Sequence, residues 1–149
     1  MPTTPRQPSP YSPSSRSHLD PLIVPFDGDE LPPRQGPTER VIDRDRAWAD
    51  SLAGLHRRWE GLPDADRGGR AEAIRRTVGL ESTDRATWHA VFDALAAHHG
   101  TGWHGWPDAL RHPGTRAVRE WADANAGDVA FWAWIDEQTE AAFARAHAD

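Results

Sequence analysis

The chain has 149 residues, 38% of them hydrophobic and 27% charged, and its 23 acidic against 17 basic residues give a formal net charge of −6. That is enough for one ordinary soluble domain, and nucleic acid is a poor partner because the chain is acidic and its basic residues, all Arg, are scattered among the acids. With no Cys there is no disulfide framework or thiol nucleophile, and with no apolar leader and no stretch near the roughly 20 apolar residues of a membrane span, a cytoplasmic protein without membrane contact is expected.

Composition changes near residue 38. Ten of the 13 prolines lie in residues 1–37, where fixed φ angles and missing N–H donors block helix interiors and central strands. This Pro-rich extended arm has one apolar run, Leu22-Ile23-Val24 and then Phe26, broken by Pro25 and suited at most to a short edge strand. By itself the arm has nothing to fold around.

Residues 38–149 read as a helical domain with an all-α pattern. Trp48, Leu52, Leu55, Trp59 and Leu62 recur at three and four residues, and Gly61 and Pro63 end that stripe. A weaker helix carries Ala71, Ile74 and Val78 and closes at Gly79, after which Ser82 or Thr83 offers a capping oxygen. Trp88, Val91, Phe92, Leu95 and Ala96 form the clearest stripe, stopped by Gly100. Trp103 to Arg111 reads as a turn and a short helix opening near Pro107. Helices follow around residues 115–124 and 128–146, the last with Phe131, Trp132, Trp134 and Ile135 on a face wide enough for two neighbours.

The chemistry legible from spacing is thin. His98, His99 and His104 are the tightest imidazole group, but neighbours on a helix point about 100° apart and no His-Glu-x-x-His pair is present, so no metal site is expected. Asp136, Glu137 and Glu140 sit at surface spacing and read as a solvated face. No Gly-rich phosphate loop or Gly-x-Ser-x-Gly elbow occurs. Eight Trp are many for this length, each able to remove on the order of 150–250 Å² from water. They imply an aromatic core or Trp-rich faces that self-associate.

Several short segments, in order, resemble the N-terminal part of the catalytic domain of the 4-alpha-glucanotransferase family (amylomaltase, or disproportionating enzyme). They are Ser9-Pro10-Tyr11, Asp20-Pro21-Leu22 with Asp where the family has Asn, Val41-Ile42-Asp43, the run from Phe92 to Gly100, Trp106-Pro107 with Leu110-Arg111, and the stretch from Phe131 to Gln138. The resemblance covers most of residues 9–147 and is faint between Gly61 and Ser82.

The resemblance implies that residues 38–149 are a helical insertion subdomain of a (β/α)₈-barrel glucanotransferase, with residues 1–37 running along the barrel rim. It implies a retaining transfer of α-1,4-glucan segments between maltooligosaccharides, with no metal or organic cofactor. Tyr11 is the single residue it marks as a substrate contact, its hydroxyl facing a glucosyl oxygen. Trp103 and Trp106 are expected to pack the helices rather than stack on sugar.

The family's nucleophilic Asp, its acid/base Glu and its third Asp belong to later barrel strands, and nothing here resembles them. A barrel takes about 250 residues, more than this sequence has, so no catalytic residue is assigned and the chain is expected to be an inactive piece of a truncated or split gene. The competing expectation is a stand-alone helical binding module that borrowed this segment.

Overall fold

The computed structural model describes residues 24–26, 44–80, 84–100 and 102–148. Among them all regular structure is helical: α1 (Arg44–Glu60), α2 (Asp64–Gly79), α3 (Arg85–His99), α4 (Arg116–Ala124) and α5 (Ala126–Ala146), with 3₁₀ turns at Trp103–Gly105 and Asp108–Leu110. Their order follows the apolar periodicities of the sequence.

The longest helix organises the others. At 21 residues α5 is about 31 Å long, and α3 and α2 both pack along it while α4 packs chiefly against α2. The wide face expected there is present: Val129, Ala130, Phe131, Trp132, Trp134, Ile135 and Ala142 are all buried. Burial of each large apolar side chain contributes about 1.5–3 kcal/mol, so this face anchors the core. The one buried hydroxyl on α5, Thr139, is satisfied by donating to the Ile135 carbonyl at 2.8 Å.

α1 reaches the core through fully buried Leu55 and through Trp59, whose ring lies 5.9 Å from Phe131 and 5.6 Å from Trp134. The helix stops at Glu60, so Leu62 packs against the core from the turn that follows rather than from the helix itself. α2 starts at Asp64, two turns before its first buried residue. It buries only Ala71, Ile74 and Val78, and its polar first half is why the apolar stripe alone understated its length.

α3 corrects one expectation. Its cap is Asp84, whose carboxylate accepts from the Thr87 N–H at 3.0 Å and from the Thr87 hydroxyl, while Ser82 and Thr83 lie outside the described residues. The Thr87 hydrogen bonds hold the Asp84 carboxyl below its usual pKa. Gly100, at φ 87°, ends the helix in a conformation that disfavours a side chain. At α4, Thr115 accepts from the Val118 N–H.

Of the Pro-rich residues 1–37, Val24 to Phe26 are described, and they dock on α1. Val24 is buried, the Arg58 guanidinium sits 4.5 Å above the Phe26 ring, and its Nη2 donates to the Pro25 carbonyl at 2.9 Å. Gly54 makes this approach possible, because a Cβ there would stand 2.5 Å from the Phe26 ring.

Candidate functional site

Two clefts and one polar cluster stand out among the described residues as places for binding or chemistry. The first cleft, about 350 Å³, lies between α3 and the loop before α4. Its walls are Trp88, Phe92, Trp106, Leu110 and Val118, with Trp103, Arg111 and His112 at the edge. The two tryptophans considered for sugar stacking divide here. Trp106 is buried, 5.4 Å from the Phe92 ring, and its indole N–H donates to the Gly100 carbonyl at 2.9 Å. Arg111 Nε donates in turn to the Trp106 carbonyl at 2.8 Å. Trp106 therefore packs the module as expected, whereas Trp103 is 42% exposed and leans on His104 with ring centroids 3.7 Å apart.

The second cleft, about 500 Å³, opens where the end of α1, the start of α2 and the start of α5 meet. Trp59 and Phe131 form its floor, and His56, Glu60, Asp64, Arg67 and Asp128 stand around it. The His56 ring lies flat on Phe131, 4.0 Å between centroids at 22°. That packing strips water from one face of the imidazole and lowers its pKa, against the opposing pull of Glu60 and Asp128.

The cluster joins His89 and Asp93 of α3 to Asp136 of α5. His89 Nδ1 is 3.1 Å from Asp136 Oδ2 and 3.5 Å from Asp93 Oδ2. The three donor atoms lie within 4.8 Å of one another, a set that is able to hold a cation. Asp93 is 2% exposed, and burial pushes its carboxyl up to about 6, with Asp136 adding to the rise and His89 opposing it. Asp136 was expected on a solvated face; it is instead half-buried and turned toward His89, because α3 packs along that side of α5. Glu137 is likewise engaged, accepting from Arg70 Nη1 at 2.8 and 2.9 Å across to α2.

The histidines first considered for metal do other work. His98 Nε2 is 2.9 Å from Asp128 Oδ2 and its ring meets Trp121 edge-on, linking the end of α3 to α5 and α4. The cluster that does form was missed, although His89 and Asp93 are four apart and Asp93 interrupts an apolar run, which is a local sign of a buried polar partner. Tyr11, the expected substrate contact, lies outside the described residues. Of the eight Trp, only Trp103 is exposed.

Comparison with known proteins decides the family. The model of the 4-alpha-glucanotransferase family matches residues 1–149. The chain belongs to that family. Curated 4-alpha-glucanotransferases from Mycobacterium bovis and from two strains of Mycobacterium tuberculosis are each 34% identical over 158 residues, covering 95% of this chain and 21% of the relative. This glucanotransferase segment thus spans about a fifth of the length of the relatives it matches. No solved structure matches it. A match running through every residue does not favour an unrelated helical module.

Proposed function

We propose that this segment is the helical insertion of a barrel-based glucanotransferase catalytic domain, and that it supplies scaffold and sugar contacts rather than the reacting acids. In the complete enzyme, a carboxylate attacks the anomeric carbon of an α-1,4-linked donor while an acid protonates the departing glycosidic oxygen. The acceptor hydroxyl then displaces the carboxylate, giving its proton back to the acid's conjugate base, so that configuration is retained.

The family match carries the substrate class; the placement of Asp93 and Asp136 carries the division of labour. Retaining transfer requires two carboxyls roughly 5–5.5 Å apart with a sugar between them. The acids brought together here have His89 between them, one is 2% exposed, and neither lines either described cleft. A carboxyl so enclosed meets no glycosidic bond. Tyr11 remains the proposed contact to the sugar beside the nucleophile, through its hydroxyl.

The test is disproportionation of maltotriose. The purified 149-residue chain is expected to release no glucose and to form no longer maltooligosaccharides. Turnover abolished by substituting an acid of this chain would overturn the proposal.

A further inference from the structure

The cleft between α1, α2 and α5 has no part in the proposed transfer, yet it is built like a binding site. Its volume of about 500 Å³ falls inside the range of roughly 300–1,000 Å³ typical of small-molecule sites. An aromatic floor lies beneath a polar rim, the combination that suits a pyranose, which has an apolar C–H face and a ring of hydroxyls.

The rim's chemistry narrows the guest. Glu60, Asp64 and Asp128 are acceptors only, and Arg67 is a donor only. Three carboxylates against one guanidinium make the rim acidic. That field repels phosphates and carboxylates but welcomes the O–H donors of a neutral sugar. Arg67 Nη2 is held by Asp64, while its Nε–H is shielded from water without an acceptor in the protein. An unmet buried donor is unfavourable, so a guest oxygen that draws the guanidinium toward the cleft relieves it.

The backbone leaves the cleft open. Gly68 lies within α2 and Gly127 in the first turn of α5, both on the cleft wall, and a Cβ at either would meet nothing within 4 Å. Glycine inside a helix is less favourable than Ala. No close packing requires glycine at Gly68 or at its neighbour Gly69, which lies off the cleft wall; at Gly68 a side chain would narrow the cleft.

We propose that this cleft binds a glucosyl unit of an α-1,4-glucan at a place separate from the transfer centre. The identity of the sugar rests on the proposed function above; the geometry of the cleft does not. Arg67 donates to a sugar oxygen, Glu60 and Asp128 accept from hydroxyls, and the ring sits over the His56 and Trp59 side.

Calorimetric titration of the 149-residue chain with maltotriose tests it, with glucose 1-phosphate and a Lys-rich peptide as comparators. Maltotriose is expected to bind, and glucose 1-phosphate to bind more weakly. Gly68→Leu is expected to weaken maltotriose binding about tenfold or more, the equivalent of about 1.4 kcal/mol, without lowering the melting temperature. Arg67→Met is expected to do likewise, whereas Trp103→Ala at the apolar cleft leaves binding unchanged. A helical chain that does not bind maltotriose, binding insensitive to Gly68→Leu and Arg67→Met, or preference for the peptide would each overturn the proposal. Turnover of maltotriose during the titration would count against the proposed division of labour instead, leaving this cleft untouched.

Discussion

The Trp106 indole N–H and the Gly100 carbonyl, 2.9 Å apart, tie the end of α3 to the loop that leads into α4. One side chain thereby closes a turn, fills the wall of a cleft and positions Arg111, which holds the Trp106 carbonyl in return. Trp106→Ala is expected to destabilise the module by about 3–5 kcal/mol, and Trp106→Phe, which keeps ring volume but loses the N–H, by about 1–2 kcal/mol. Urea unfolding followed by circular dichroism reads both. Equal losses from the two variants would show that the hydrogen bond, not the packing, dominates.

Asp93 gives the module an unusual pH response. Its carboxyl titrates near 6 in the fold against an ordinary value of 3.8, so its contribution is fully present below about 4 and is lost as pH rises through about 6. Asp93→Asn is therefore expected to be more stable than the parent at pH 8, by on the order of 1–3 kcal/mol, and to melt higher, with the gap closing toward pH 4. Parallel melts across that range check the sign. A gap that widens on acidification would mean that the ionised form is the stabilising one.

Asp84 runs the other way. Thr87 holds its carboxyl below the usual range, so the capping contribution is present above the unfolded carboxylate pKa and fades as acid protonates the folded group. Replacement by Ala is expected to cost about 0.5–2 kcal/mol at pH 7. At pH 2 the cost should shrink, which helix content against temperature will measure.

Gly54 governs the docking of Val24 to Phe26. An added Cβ would stand 2.5 Å from the Phe26 ring, and relieving such an overlap costs about 1–3 kcal/mol, offset by about 0.5–1 kcal/mol of helix propensity. Gly54→Ala is expected to loosen this short segment while leaving α1 helical. Faster amide exchange at Phe26, with α1 amides unchanged, is the expected signature.

The helices were legible because their apolar residues repeat at three and four positions, and α3, with Trp88, Val91, Phe92 and Leu95, was read nearly to its ends. Where burial is not periodic the sequence was quieter. The first half of α2 carries no apolar stripe, which hides its start, and the hydroxyls of Ser82 and Thr83 compete in the sequence with Asp84, although an Asp caps equally well. The clefts and the His89 cluster were the least accessible, since His89 meets Asp136 across 47 residues and His56 meets Phe131 across 75. Such pairs are created by helix packing and leave little local trace.

The position of α5 in the chain sets the order of events during synthesis. α3 finds its main packing partner only in α5, from residue 126 on, so on the ribosome its apolar stripe stays uncovered until α5 emerges, while α2 meets α4 first and completes its packing later. Any stall in translation before that point would leave the apolar faces that α5 covers open to chaperones and proteases.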